Sequence, residues 1–131
     1  SNDPDELDGV DTSITGIVIQ DMIIRNAGKE CVRFKYFVTY SVVQYSDITN
    51  CGIEDYEEGS SGANGEGVYI GTATGQWEDG VIDVCVGNVV QYNFIDTQGS
   101  EGVDLKEGSI ENVVQYNDIY GMVDPESGGE I

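Results

Sequence analysis

The tetrapeptide Val-Val-Gln-Tyr occurs three times in the chain, as Val42–Tyr45, Val89–Tyr92 and Val113–Tyr116. Each copy is followed by Ser or Asn, by one variable residue and then by Ile. A degenerate copy, Val18-Ile19-Gln20, leads to Ile24, and the four aligned glutamines are 24, 47 and 24 residues apart. Internal repetition at a fixed period is typical of a protein that stacks one structural unit on the next.

A second motif accounts for the longer spacing of 47 residues. Relative to the other repeats, the second one has 12 extra residues before this motif and 11 after it, and together they make up the difference of 23. We therefore predict four coils of about 24 residues, with two loops (53–65 and 73–86) inserted in the second coil. The motif reads Glu30-Cys31-Val32-Arg33-Phe34, Glu66-Gly67-Val68-Tyr69-Ile70 and Glu101-Gly102-Val103-Asp104-Leu105.

The composition predicts an all-β protein. Val and Ile total 29 of the 131 residues whereas Ala and Leu total 5, and β-branched residues favour strands over helices. Eighteen glycines and two prolines fit short strands joined by tight corners. With the period of 24, this predicts that residues 1–131 form a β-solenoid, either a single domain or a segment of a longer one, in which residues 1–12 are an acidic arm.

Alternation along each predicted strand determines which side chains face the interior. Asn93, Asn117 and Ser46 are expected at bends, and Asn26 is expected to stack on Asn50. An outward stripe of valines is suited either to packing against a neighbour or to partial burial where the coil is flattened, and it consists of Val18, Val42, Val89 and Val113. The residues expected to face inward are Val32, Val68, Val103, Phe34, Ile70, Leu105, Ile19, Val43, Val90, Val114, Ile24, Ile48, Ile95 and Ile119.

Charge and composition exclude several function classes. Five Lys and Arg against 25 Asp and Glu make nucleic acids and anionic membranes unsuitable partners. The absence of histidine excludes Ser-His-Asp and Cys-His catalysis and the usual zinc-enzyme ligand sets. No apolar stretch approaches the ~20 residues needed to cross a bilayer, so no membrane insertion is expected.

Segments Glu30–Thr39, Gly65–Ala73 and Glu101–Ser109 resemble right-handed parallel β-helix proteins of the pectate-lyase-like superfamily. The resemblance covers roughly residues 14–129 and implies a right-handed parallel β-helix. That fold hosts lyases, hydrolases, epimerases, adhesins and structural repeats, so the resemblance by itself does not determine a function.

One outer face of the predicted helix collects most of the basic residues. Alternation places Arg33, Tyr69 and Asp104 on one outward ladder and Lys35, Gly71 and Lys106 on the next. The two inserted loops are expected to wall this face. Aromatic rings, carboxylates and cations together suit a carbohydrate, with Lys or Arg holding a uronate carboxylate, although the same residues also fit a solvated face of mixed charge. The predicted binding residues are Arg33, Lys35, Tyr69, Trp77, Asp104, Lys106, Glu66 and Glu101.

The resemblance also implies catalytic roles. In the lyases of this superfamily, a basic side chain removes the proton next to a uronate carboxylate that calcium or Arg neutralises. Transferred by position, Arg33 or Lys106 would be the base, and Asp104 with Glu101 would form a cation site. Calcium is therefore the expected cofactor if there is one, and −20 formal charge favours bound divalent cations.

Three cysteines, Cys31, Cys51 and Cys85, allow at most one internal disulfide. The sequence leaves open whether Cys31–Cys51 or Cys51–Cys85 forms.

These patterns lead to one expected role and two alternatives. The first is an extracellular or cell-surface β-helix with a structural, self-assembling and carbohydrate-associated role, whose partners are further coils or subunits and a polysaccharide. The second is a polysaccharide lyase acting on a uronate-containing polymer. The third is a carbohydrate-binding module without catalysis.

Overall fold

A computed structural model describes residues 13–56 and 64–122, and in it short parallel strands wind into a β-helix. The predicted acidic arm at 1–12 lies outside the described residues. The strands are β1 (Ile14–Thr15), β2 (Val18–Gln20), β3 (Ile23–Ala27), β4 (Val32–Phe34), β5 (Val38–Thr39), β6 (Val42–Gln44), β7 (Asp47–Cys51), β8 (Val68–Ile70), β9 (Val89–Gln91), β10 (Phe94–Gln98), β11 (Val103–Leu105), β12 (Val113–Gln115) and β13 (Asp118–Met122), with helix α1 (Ile53–Tyr56) after β7.

The strands stack into four parallel sheets. The largest two contain four strands each, in the orders β2-β6-β9-β12 and β3-β7-β10-β13. The smallest is the pair of β1 with β5. The third, β4-β8-β11, is called the groove sheet below. Equivalent residues of successive coils lie side by side, so that Gln115 donates to Gln91, Gln91 to Gln44 and Gln44 to Gln20 at 2.8, 2.9 and 3.0 Å. The predicted parallel β-helix and its register are thus confirmed.

The ladders keep their register across both inserted segments. Val68 pairs with Val32 on one side and with Val103 on the other, so the groove sheet regains its register after the first loop. The second loop joins β8 to β9 and contains two 3-10 turns, Thr74–Gln76 and Glu78–Gly80. Since the ladders continue past each loop, the insertions leave the stacking of the coils undisturbed.

The interior is a column of β-branched side chains with Phe34 at one side. The inward residues of the middle coils, such as Val43, Ile48 and Ile95, are fully buried. Leu105, Val114 and Ile119 continue the same ladders but are 37% to 44% exposed, because no described coil covers them. The outward valines divide in the same way: Val42 and Val89 are half-buried, and Val18 and Val113 at the two ends are exposed.

Buried amides close the bend after the glutamine-bearing strands. The Asn93 Oδ1 accepts from the Ser46 backbone N–H at 3.1 Å, and its Nδ2 donates to the Val43 carbonyl at 2.9 Å. Asn117 repeats both contacts one coil later, on Asn93 and Val90. These bonds satisfy backbone groups that the sheets leave unpaired at the corner, so the bend role predicted for Asn93 is confirmed. Asn50 also donates to Asn26 at 2.8 Å, as predicted.

The structure selects one of the two disulfide pairings left open by the sequence. Cys31 and Cys51 are bonded and join the first coil to the second, while Cys85 is a buried thiol. Cys51 pairs in register with Ala27, the last residue of β3, so it lies beside the end of the strand that precedes Cys31. The cross-link closes a 20-residue loop, and a loop of this size stabilises a fold by roughly 3 kcal/mol.

Among the described helices, none has both the length and the apolar character required to cross a membrane.

Replacing Asn93 by Ala tests the contribution of the buried amides. The change leaves the Ser46 N–H and the Val43 carbonyl without their partner in a buried site, so we expect the free energy of unfolding to fall by about 3 kcal/mol. Urea denaturation measures the loss. The control is Gln115→Ala, which removes one amide from the exposed ladder and is expected to cost less than about 1 kcal/mol. Equal losses in the two variants would contradict the assignment.

Candidate functional site

A groove of about 450 Å³ runs over the outer face of the groove sheet. Asn64 from the first insertion and Ala73, Gln76 and Glu78 from the second stand at its edges, so both loops flank this face as the sequence predicted. The remaining lining residues are Lys29, Glu30, Arg33, Lys35, Tyr36, Glu66, Tyr69 and Lys106.

Tyr69 lies at the centre of the groove floor. It pairs in register with Arg33 and Asp104 and is only 5% exposed, although its position in β8 points outward. The Arg33 Cζ lies 4.7 Å and the Lys106 Nζ 5.2 Å from the centre of its ring, so cations contact the ring from the strands on both sides. Burial raises the pKa of the Tyr69 phenol, and the charges of Lys106 and Arg33 partly oppose this.

Each of these two cations is paired with a carboxylate. The Lys106 Nζ lies 2.5 Å from Asp104 Oδ2, and the Arg33 Nη1 lies 3.7 Å from Glu30 Oε1. Burial alone would lower the pKa of the Lys106 ammonium, but its hydrogen bond and charge interaction with Asp104 raise it above its ordinary value. Lys106 is therefore positively charged over the whole neutral range.

Three carboxylates converge beside Tyr69: Glu66, Glu101 and Asp104, named here the acidic cluster. One oxygen from each lies within 4.8 Å of the others. Glu66 is only 3% exposed, and burial, with the nearby charges of Glu30 and Asp104, raises its pKa to about 7. The Ser100 hydroxyl donates to Glu101. The predicted association of Glu101 with Asp104 thus gains a third member.

Two closely packed glycines, Gly52 and Gly65, form a narrow neck at the base of the first insertion, directly before Glu66. Gly52 and Gly65 approach so closely that a Cβ on Gly65 would stand 2.8 Å from the Gly52 Cα. Gly65 also has a φ of +124°, which residues with a side chain rarely adopt. The Glu66 carbonyl then accepts from the Cys31 N–H at 3.0 Å, which returns the chain to the groove sheet.

A buried carboxylate anchors the second insertion to the first coil. Asp83 accepts from the backbone N–H groups of Tyr36 and Phe37 at 2.8 and 2.9 Å and from the Thr72 hydroxyl at 2.6 Å. Tyr36 and Phe37 have φ values of +62° and +61°, so this corner is held in a left-handed conformation. The Tyr36 hydroxyl donates to Glu78 Oε1 at 3.0 Å and links the corner to the loop across the groove edge.

Trp77 is the predicted binding residue that the structure places elsewhere. Its indole N–H donates to the Thr72 carbonyl at 2.9 Å, which turns the ring toward a separate cavity of about 10 Å³ lined also by Phe37 and Val81. The expectation that Trp77 lines the groove is therefore corrected. The other predicted residues lie in the groove or in the acidic cluster.

Several lining residues were not predicted. Tyr36, Gln76 and Glu78 come together because Asp83 draws the loop over the first coil, and Lys29 and Asn64 border the neck of the other loop. None of these positions belongs to a repeated motif, so periodicity carried no signal for them.

Comparison with known proteins identifies a shared fold. No protein-family model and no curated protein sequence matches the chain. The crystal structure of an alginate lyase from Paenibacillus sp. str. FPU-7 superimposes with a TM-score of 0.69 and 22% sequence identity, over 82% of this chain and 38% of that one. The chain thus spans well under half the length of that enzyme, and a likeness at this identity establishes the fold.

The raised pKa of Glu66 gives a pH test of the site. The pKa of Glu66 is 4.5 in the unfolded chain and about 7 in the folded protein, so the folded state binds the proton more tightly. The contribution of this proton to the free energy of unfolding is fully present below pH 4.5 and is lost as the pH rises from there through 7. The full loss is about 3 kcal/mol. We expect Glu66→Gln to be more stable than the wild type at pH 8 and to lose less stability between pH 5 and pH 8.

Urea denaturation at the two pH values measures the difference. Asp118→Asn, an exposed carboxylate away from the groove, is the control for the general loss of one negative charge. The same pH dependence in Glu66→Gln and in the wild type would contradict a buried, proton-binding Glu66.

Proposed function

We propose that the protein is a polysaccharide lyase that cleaves a uronate-containing polymer by β-elimination in the groove centred on Tyr69. The observation that carries the proposal is the buried phenol of Tyr69 between the cations of Arg33 and Lys106, at the floor of an open polar groove. The likeness to an alginate lyase supports it, since alginate is a polyuronate. The comparisons therefore favour this alternative over the self-assembling role expected first.

β-Elimination on a uronate makes three demands on the groove. A base removes the proton from C5, and a cation or hydrogen-bond donor neutralises the adjacent carboxylate so that the negative charge that develops there is stabilised. The electron pair forms the C4–C5 double bond as the bond from C4 to the glycosidic oxygen breaks, and an acid donates a proton to that oxygen.

Arg33 and Glu66 suit the neutralisation of the carboxylate. The planar guanidinium of Arg33 offers two parallel N–H donors, the geometry that a carboxylate accepts best. Glu66, with a pKa of about 7, is substantially protonated at neutral pH and then donates a hydrogen bond instead of repelling the substrate. Both side chains line the same groove.

Tyr69 and Lys106 suit the two proton transfers. An Arg guanidinium stays protonated in proteins, and Lys106 is held as an ammonium by Asp104, so neither is prepared to act as the base. Lys106 is instead the acid that donates to the leaving oxygen. Tyr69 accepts the C5 proton as a phenolate, which the two flanking cations stabilise. This differs from the role that the sequence resemblance implied for Arg33 or Lys106.

The acidic cluster fits a hard divalent cation. Its three carboxylates offer oxygen ligands, which calcium prefers, although Lys106 occupies one oxygen of Asp104. Glu101, Asp104 and an ionised Glu66 would hold the ion, and bound calcium would then replace the proton of Glu66 in neutralising the uronate carboxylate.

We place the protein outside the cell or at its surface. The Cys31–Cys51 disulfide forms and persists in oxidising compartments, and polymeric uronates are encountered outside the cell.

Activity on polyuronates tests the function directly. Incubation with alginate or pectate should produce ultraviolet absorbance from the unsaturated sugar, with a rate that rises into the alkaline range because the pKa of Tyr69 is raised. We expect Tyr69→Phe and Lys106→Met each to lower kcat by about a hundredfold or more. Tyr116→Phe, an exposed tyrosine outside the groove lining, is the matched control and should retain activity.

Two outcomes would overturn this assignment. Absence of unsaturated product at every pH, with polyuronate binding retained, would identify a carbohydrate-binding module instead. Full activity in Tyr69→Phe would exclude the proposed base.

Calcium binding is measured separately by thermal or urea unfolding. At a hundredfold excess over its Kd, calcium should raise the free energy of unfolding by about 2.7 kcal/mol. The double variant Glu101→Gln/Asp104→Asn should lose this increase, whereas Asp118→Asn should keep it. An increase of equal size in both variants would place calcium binding elsewhere on the acidic surface.

A further inference from the structure

Lys35 differs from the other two cations on the face of the groove sheet. Arg33 and Lys106 each form an ion pair, whereas Lys35 has no carboxylate within ion-pairing distance among the residues that the structure describes. Its Nζ lies instead 4.5 Å from the centre of the Tyr36 ring, and it lines the groove. An ammonium held by a ring keeps its charge available to an incoming anion.

The Tyr36 residue whose ring supports Lys35 is itself held by two carboxylates. Asp83 fixes the backbone of Tyr36 and Phe37, and Glu78 accepts from the Tyr36 hydroxyl. A left-handed conformation costs roughly 1 kcal/mol or more for a residue with a side chain, and it occurs here at two successive residues. The second insertion therefore stabilises an unfavourable backbone conformation at Tyr36 and Phe37. In this conformation both the Tyr36 ring and the Lys35 ammonium line the groove.

The position of Lys35 separates it from the reaction centre. It lies one strand across and two residues along from Tyr69, which corresponds to roughly 8 Å between the backbones. It also lies on the ladder of Gly71 and Lys106, two strand spacings or roughly 10 Å from Lys106. An anion bound at Lys35 therefore belongs to a different sugar from the one whose C5 faces Tyr69.

We propose that Lys35, held over the Tyr36 ring that Glu78 anchors, forms a second subsite for anions, which binds the carboxylate of a uronate neighbouring the one cleaved. This inference rests on the proposed function and specifies its substrate as a run of consecutive uronates. Lys35 contributes to binding and to the position of the polymer, while bond cleavage depends on Tyr69 and Lys106.

Steady-state kinetics on two polymers test the subsite. For a homopolymeric uronate, Lys35→Gln should raise KM roughly tenfold, the loss expected for one charged hydrogen bond, with kcat changed less than about twofold. For a polymer in which uronates alternate with neutral sugars, KM should stay within about twofold of the wild type. Tyr36→Phe, which breaks only the bond to Glu78, should shift KM in the same direction by a smaller factor.

Arg25→Gln is the matched control, since Arg25 is exposed on β3 outside the groove lining and the change removes the same charge. An equal rise in KM on both polymers, or an equal effect of Arg25→Gln, would show general electrostatic attraction and overturn the subsite. A fall in kcat at constant KM in Lys35→Gln would also overturn it.

Calorimetric binding of a short polyuronate to Tyr69→Phe separates the two proposals. Weaker binding in Tyr69→Phe/Lys35→Gln than in Tyr69→Phe supports the subsite even if the wild type cleaves no polymer, in which case only the lyase proposal fails. Equal binding in the two variants, or none in either, overturns the subsite. If the wild type cleaves the polymer but Tyr69→Phe and Tyr69→Phe/Lys35→Gln bind it equally, the subsite proposal fails and the lyase proposal is retained.

Discussion

Everything in this molecule depends on each coil pairing with the next in one register. The parallel backbone bonds tolerate a slip of one residue, but such a slip would turn every inward valine and isoleucine outward. The buried amides at the bends remove this freedom, because Asn93 and Asn117 satisfy their partners only when the coils are aligned. Hydrogen bonding at the corners and burial in the centre therefore specify the same alignment.

That alignment also determines where the chemical groups stand. Tyr69 is an outward residue, and in an unmodified coil it would be exposed, yet Arg33 and Lys106 flank it and the inserted loops border it. Partial enclosure of this kind removes water from the charged forms of Tyr69 and Glu66, and this burial is the main reason that the pKa values of both groups are raised. The helix contributes fixed spacing, and the loops contribute the environment in which charges interact.

Prediction from the sequence was accurate for the repeated coils and less so for the inserted loops. Positions within the repeats, such as Val43, Tyr69 and Asn93, are constrained by copies of themselves, so periodicity placed them correctly. Trp77 and Tyr36 depend on how a loop folds onto a neighbouring coil, and Asp83 makes that connection over 46 and 47 residues. The choice between two disulfides likewise required the positions of the three cysteines in the folded chain, which spacing along the sequence does not contain.

The two loops are joined to the helix in different ways, and this has consequences for how such proteins diversify. The first loop leaves and returns through the paired glycines Gly52 and Gly65, so its length can change without altering the coils on either side. The second is bonded through Asp83 to a corner of another coil, and a change in its length would move Tyr36 as well. Among related chains, we therefore expect the length of the first loop to vary freely. The length of the second loop and the sequence around Tyr36 are expected to change together.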